Sequence, residues 1–310
     1  MGVSCMRSKA ISKYLLLITV FLFLSAAAYS QVPDDDDATR DLVDTAFMKK
    51  RPAGKRPARR TQQSAGYRFV SKRRSLIRHD KLTASAVVGV TIWRLRPSKA
   101  SDDQEVRQLI HKQGEWTPER VSGSSPLTEG SRVQLTIESP RAGYLYVFDR
   151  EVYADGTFGE PYLIFPTLNI NSGDNKVSAG RIIEIPSAED DPPFYTLTRS
   201  RADHDGEALT VIVSDTPLTD VSIGRTAQKV SNEQFAAYET KWGAMTEQLE
   251  LDKGAGKPMS KAEKSALAGN TVLTQTDSPP QTIYRVLVKP DQPLLVTVPL
   301  SISTRAKAGS

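Results

Sequence analysis

Between Gly130 and Pro166 the chain reads GSRVQLTIESPRAGYLYVFDREVYADGTFGEPYLIFP, consecutive strands joined by turn chemistry. In Arg132–Glu138 the apolar Val133, Leu135 and Ile137 alternate with Arg132, Gln134, Thr136 and Glu138. Strand side chains point to opposite faces with period two, so this segment is a half-buried strand. Ser139-Pro140-Arg141-Ala142-Gly143 interrupts it, because proline lacks an amide donor and glycine favours a turn. Tyr144-Leu145-Tyr146-Val147-Phe148 is apolar at every position, as expected of the central strand of a hairpin covered on both faces. Asp155-Gly156 is a turn signal, and Tyr162–Phe165 resumes an extended pattern up to Pro166. Such short strands need further strands and a second layer to hold together in water. Tyr144, Tyr146 and Tyr162 then either pack in that core or form an exposed binding platform, since tyrosine joins a large apolar face to a polar tip.

The remaining pattern extends this reading. Ala86–Leu95 is apolar on both faces and β-branched, a buried strand with Trp93 in the core. Residues 97–130 are polar, with a short helix expected at Asp103–Lys112. Thr167–Ala179 reads as a long loop, Arg181–Ile185 as a strand stopped by Pro186, and Ser187–Pro193 as an acidic loop. Phe194–Thr198 is a short strand, Asp203–Glu207 a turn and Leu209–Val213 an apolar strand. Strands at this spacing predict a mainly β fold over residues 82–303, an antiparallel β-sandwich of immunoglobulin-like or jelly-roll-like type.

A helical insertion is expected over 231–269. Ser231 and Gln234 form a capping box, and Phe235, Tyr238, Trp242, Met245 and Leu249 follow at helical spacing. That stripe predicts an amphipathic helix of about five turns, ending before Gly254, which packs on its own sandwich or fills a partner's groove. Ser260–Leu267 repeats the capping logic with Glu263. Thr282–Val288 and Leu294–Ile302 predict a closing hairpin around Pro290-Asp291-Gln292, and Pro299 places the last strand at an edge.

Gly130, the block Gly143–Asp149, Asp155-Gly156 and Phe165-Pro166 resemble the bacterial family called domain of unknown function 4384. The likeness extends through Asn175, Ala179-Gly180, Ile185-Pro186, Gly206-Glu207 and Leu209–Ser214, covering approximately residues 85–215. The resemblance implies a secreted or cell-envelope accessory module. It carries no established catalytic residues to transfer. The long basic preface and the helical segment after Ser231 depart from the family pattern.

The first 30 residues predict a secretory signal peptide. Arg7, Lys9 and Lys13 precede the apolar run Leu15–Leu24, and small residues up to Ser30 offer a cleavage site. That run is too short to span a bilayer as a helix, although an uncleaved anchor is the alternative. The only cysteine, Cys5, precedes the apolar run, which speaks against a lipoprotein signal and leaves the exported part without thiol chemistry or disulfides.

Charge is segregated behind a total of +5. Residues 31–81 hold 14 Lys+Arg against 7 Asp+Glu, and residues 82–310 hold 24 against 29. Apart from a short helix possible around Asp41–Met48, residues 31–81 read as a disordered basic linker, with folded structure beginning near Leu82. Lys49, Lys50, Arg51, Lys55, Arg56, Arg59 and Arg60, with Lys72, Arg73 and Arg74, are candidate polyanion contacts. Clustered cations attract anionic lipid or polysaccharide without a shaped pocket, and no groove-fitting motif for sequence-specific nucleic acid is present.

Signals for chemistry are weak. His79, His111 and His204 have no ligand spacing, and His204 reads as part of a solvated turn. HExxH and GxSxG are absent, and Gly254-Ala255-Gly256-Lys257 fails as a phosphate loop because Pro258 replaces the Ser/Thr. Asp149, Glu151 and Asp155 could offer oxygen ligands to calcium, and Asp149 could pair with Glu160 or Asp215 for glycoside hydrolysis. The expectation is a non-enzymatic envelope module without a cofactor, binding a protein or polymer through loops or through Tyr144, Tyr146, Asp149, Asp155 and Tyr162. The alternatives are a carboxylate-dependent envelope hydrolase, recognisable by a concave pocket of converging acids, and a polyanion-binding protein.

Overall fold

The computed structural model describes residues 35–54, 67–73, 84–110, 113–289 and 291–303. The expected signal segment, Lys55, Arg56, Arg59, Arg60, Arg74, His79 and His111 lie outside the described residues. The chain divides into units Met1–Ala38 and Thr39–Ser310. Of the first unit only 35–38, the opening turn of a helix, are described; the sheets and their covers belong to the second.

The helices are α1 (Asp35–Ala46), α2 (Asn232–Trp242) and α3 (Lys261–Leu267). The strands begin with β1 (Phe69–Arg73), β2 (Ala84–Pro97), β3 (Gln108–Ile110), β4 (Gly114–Val121), β5 (Leu127–Thr128) and β6 (Arg132–Glu138). They continue with β7 (Gly143–Tyr153), β8 (Tyr162–Phe165), β9 (Lys176–Val177), β10 (Ile182–Ile185) and β11 (Tyr195–Thr196). β12 (His204–Ser214), β13 (Gln228–Lys229), β14 (Thr246–Leu251), β15 (Thr282–Val288) and β16 (Leu294–Ser303) complete them.

The strands form a nine-stranded sheet, β1-β14-β15-β2-β4-β3 with β6, β10 and β11, and a seven-stranded sheet, β13-β8-β7-β12-β16-β5 with β9. Pairing is antiparallel except between β16 and β5. Ala86, Val88, Val90 and Ile92 of β2 face Leu145 and Val147 of β7 and Val211 and Val213 of β12 across one apolar core, which makes the body a β-sandwich. The expected mainly β sandwich is the observed fold.

Both sheets are also covered outside. Tyr146, Phe148, Leu163, Ile212 and Leu295 meet Phe235, Tyr238 and Trp242 of α2, so β7 is apolar on both faces because it is covered on both. Phe148 meets Phe235 edge-on at 5.5 Å between ring centroids. On the nine-stranded sheet, Val87, Leu249, Leu251 and Ile283 are covered by Val43, Phe47 and Met48 with Phe69 of β1.

That second cover corrects the reading of a disordered linker for the described residues 35–54 and 67–73, the rest of 31–81 lying outside the described residues. α1, the 3-10 turn Met48–Lys50 and β1 are ordered, and β1 pairs with β14 from Phe69↔Leu251 to Arg73↔Gln248. Folded structure therefore starts well before Leu82. The physical reason is the outer face of this sheet, where Val87 of β2 with Leu249, Leu251 and Ile283 needs a partner and finds it in Phe47 and Met48. Gly89 makes room, since a Cβ there would come within 2.8 Å of Phe47 Cζ and 2.3 Å of Pro280 Cγ.

Topology brings further corrections. β6 and β7 do not form a hairpin, because they lie in opposite sheets, and β15 and β16 likewise. Inward-facing alternation is compatible with either arrangement, and the tertiary layer decides. β7 and β8 do form the hairpin marked by Asp155-Gly156, with Gly156 at φ 83. The Asp103–Lys112 helix is instead a 3-10 turn, Gln104–Val106, followed by β3, and the polar stretch after it contains β4 with Pro118. The long helix from Ser231 stops at Trp242, since Gly243 is the C-cap. Met245 is exposed, and Leu249 is buried on strand β14, so the apolar stripe continued by coincidence through an edge-ward strand. α3 has the expected Ser260–Glu263 capping box.

Candidate functional site

β10 carries the sequence Ile182-Ile183-Glu184-Ile185. Period two turns Ile183 and Ile185 into the sandwich core and Ile182 and Glu184 outward, where Ile182 packs with Ala266 of α3 and Leu273. Pairing of β10 with β6 fixes this register at Glu184↔Thr136. Glu184 is thereby a carboxylate, only 8 % exposed, on a strand otherwise made of isoleucine.

Above it opens a cleft of about 560 Å³. Its walls are Asn169, Asn171 and Ser172, the loop Ser187–Asp190, Lys264 and Leu267 of α3, and Ala268 and Gly269 just past the end of that helix. A second hollow of about 220 Å³ shares Asn171, Glu184, Ser187, Leu267 and Gly269 with it. Glu184 Oε2 accepts the Ala188 amide at 2.8 Å, while Oε1 has no hydrogen-bond partner among the described residues. Burial pushes the Glu184 carboxyl up to about 7, against the opposing pull of Lys264 and the Ala188 N–H. Asp190 accepts the Ser187 amide at 2.6 Å, and Arg181 on the rim is held by Asp174 at 2.8 Å. A concave, polar site with one buried, protonation-sensitive carboxylate is a binding-site geometry.

A second acidic group lies inside the sandwich, where the apolar core ends. Asp149 and Glu151 of β7 and Glu207 of β12 share the inner face, with Glu207 opposite Glu151. Burial pushes the carboxyls of Asp149 and Glu207 up, and each feels the other's charge or hydrogen bond. Asp149 Oδ1 and Glu207 Oε2 have no donor among the described residues. Two such carboxylates hydrogen-bonded to each other share a proton. His204 is 1 % exposed, so the solvated-turn reading is corrected. Its Nδ1 accepts the Ser200 amide at 3.1 Å, which places the proton on Nε2, donated to Gly206 O at 2.9 Å and facing Glu207 Oε1 at 3.2 Å. Ser200 Oγ lies 3.3 Å from the same Nδ1, outwardly a Ser-His-Glu series. The lone pair of Nδ1 is already engaged by the amide, however, and the proton shared with Asp149 weakens Glu207 as an orienting anion.

The residues singled out from sequence are dispersed. Tyr146 is buried under α2 and its hydroxyl accepts the Leu218 amide at 2.9 Å; Tyr144 is half-buried beside the same cluster and Tyr162 is exposed, so they form no common platform. Asp149 joins Glu151 and Glu207, but Asp155 sits in the exposed turn, accepting from Thr157. Glu160 pairs with Lys229 and Asp215 with Arg141, each on the surface, so neither completes a catalytic pair with Asp149. Among the described residues no group of His, Cys, Asp and Glu is arranged to hold a metal ion.

Of the candidate polyanion contacts, Lys49 and Lys50 are exposed, and Lys72 and Arg73 belong to β1. Arg51 is 2 % exposed and is no surface contact: Nε and Nη2 clamp Glu138 at 2.7 and 2.6 Å, and Nη1 donates to Thr274, Asp277 and Ser278 carbonyls. A guanidinium so fully used is a structural tie. Sequence reasoning misses Glu184 itself; its signal is the lone acid at an alternate position in Arg181–Ile185. No protein-family model, curated protein or solved structure matches this chain.

Proposed function

We propose that this protein is an exported, non-enzymatic binding module of the bacterial cell envelope, which holds a polar ligand in the cleft floored by Glu184. The observation that carries the reading is the buried carboxylate with an unpartnered oxygen beneath a cleft of about 560 Å³, a volume suited to a small ligand or the end of a polymer. The basic, apolar, small-residue order of the first 30 residues supports export, and membership of the domain of unknown function 4384 family is part of the same proposal. Among the described residues no helix is long and apolar enough to cross a membrane. Glu189 and Asp190 also line the cleft, but Glu184 is the one buried carboxylate there and Asp190 accepts the Ser187 amide, an arrangement we read as holding rather than turnover.

The test is retention of solubilised envelope-polymer fragments by the immobilised full chain and by Leu267→Trp, which fills the cleft from α3. Wild type retains fragments, the variant loses them at unchanged melting temperature, and mass spectrometry recovers the fragments uncut. Equal retention by both chains removes the cleft from the function, and cleaved fragments remove the non-enzymatic reading.

One observation favours a second reading, binding of a polyanion. Lys50, Arg141 and Lys289 line a separate hollow of about 230 Å³ beside Pro140 and Asp291. Charge reversal at Lys50 and Lys289 would abolish salt-sensitive envelope retention in that case and leave it unchanged in the first.

A further inference from the structure

Resting on the cleft reading above, we infer that the ligand presents a protonated primary amine, seated against Glu184. The lining carries three carboxylates, Glu184, Glu189 and Asp190, against the single cation Lys264, and Arg181 of the adjoining hollow is already committed to Asp174. Leu267 ends α3 at the same wall, and the C-terminus of a helix carries a partial negative charge. Glu184 Oε1 lacks a donor, and Lys264 shows no ion pair with it within salt-bridge distance, so the chain does not supply the missing cation itself.

Oε1 is closed off in the empty cleft, so a ligand reaches the carboxyl by a small turn of the Glu184 side chain, and a ligand hydroxyl would then give it one neutral hydrogen bond. An ammonium gives a charge-assisted bond and offsets the buried negative charge, which a hydroxyl cannot do. Asn169, Asn171 and Ser172 on the opposite wall are suited to the hydroxyl or amide groups of the same ligand. A lysine-type side chain of a peptide and an amino sugar both fit this chemistry.

Binding also moves a proton. In the empty cleft burial favours the neutral Glu184 carboxyl; the arriving ammonium favours the carboxylate, so association near neutral pH expels the proton to solvent. The other groups facing Glu184 are Lys264 from α3 and Asp190 from the loop, and their charges oppose each other there.

Isothermal titration calorimetry on the full chain at about pH 6 tests this, where both amines are charged. Nα-acetyl-lysine amide and glucosamine are the charged probes; Nα-acetyl-norleucine amide and N-acetylglucosamine are their neutral counterparts. One charged probe binds at least about tenfold more tightly than its counterpart, with an enthalpy that varies with buffer ionisation heat. Which of the two does so identifies the peptide or the sugar as the source. Glu184→Gln erases both the preference and the proton release, and Lys264→Met raises affinity for the charged probe. Equal binding of charged and neutral probes, lost in Leu267→Trp, overturns the amine while the cleft reading stands. Binding that Leu267→Trp leaves untouched, or binding by none of the probes together with no cleft-dependent polymer retention, overturns both.

Discussion

Arg51 offers the sharpest check on the layered architecture, because its role separates a folded N-terminal segment from a loose arm. The side chains of Arg51 and Glu138 are 1 % and 3 % exposed, and the contact is bidentate. Arg51→Met leaves the Glu138 carboxylate buried without its cation and strips donors from the Thr274, Asp277 and Ser278 carbonyls. Breaking one side of such a buried pair costs about 3–5 kcal/mol. For a folded body of this size each kcal/mol moves the melting temperature by about 2–4 °C, so a fall of about 6–20 °C is expected. Adding Glu138→Leu removes the stranded charge and recovers most of that loss, the three carbonyls accounting for the remainder. Thermal melts followed by near-ultraviolet circular dichroism, with urea unfolding for the free energies, complete the double-mutant cycle. A surface arginine on a detached arm changes stability by less than about 0.5 kcal/mol, so a single-variant shift that small refutes the reasoning.

Two more outcomes are expected from the acidic group and from the α2 cover. The Asp149 and Glu207 carboxyls are raised in the fold, so the folded state holds more protons than the unfolded chain; the stability they contribute is complete below about pH 4 and declines as pH rises through neutrality. Asp149→Asn should therefore gain about 1–3 kcal/mol at alkaline pH and little under acid conditions, and a gain that is the same at both ends of a pH series of melts defeats the shared-proton account. Phe235→Ala empties the contact of α2 with Phe148 and Arg150, whose guanidinium stands 4.2 Å from the Phe235 ring centroid. A loss of about 3–5 kcal/mol in urea unfolding is expected, and a loss under about 1 kcal/mol would mean that α2 is not docked.

Much of the sandwich was legible because alternation reports burial directly. Val133, Leu135 and Ile137 face the core as their period requires, and Leu145, Val147, Tyr146 and Phe148 face both covers. What alternation cannot specify is which sheet a strand joins, hence the mistaken hairpins of β6 with β7 and β15 with β16. The N-terminal error has another cause. Lys, Arg and Pro dominate its composition, yet Val43, Phe47, Met48 and Phe69 are few and all buried, and composition averages over those anchors. The doubly apolar face of Ala86–Leu95 was the available clue, since its outer side had no other expected partner. Helical spacing misled at Met245 and Leu249 because Gly243 ends the helix between matching positions. Glu184 stayed hidden because a single acid in a strand is commonplace until α3 closes over it. The dispersed Tyr144, Tyr146 and Tyr162 show that aromatic content does not distinguish a platform from a core.

The pairing of β1 with β14 has a consequence for how the molecule comes into being. A strand near the start of the chain finds its neighbour only after most of the polypeptide has been made, and the segment around Phe47 must wait as well for β15 to complete the surface it caps. Contacts of such long sequence separation are slow to form, since loop-closure entropy is spent before they reward it. Until then the outer face around Val87 of β2 stays bare, so a nascent chain depends on being shielded from its own kind.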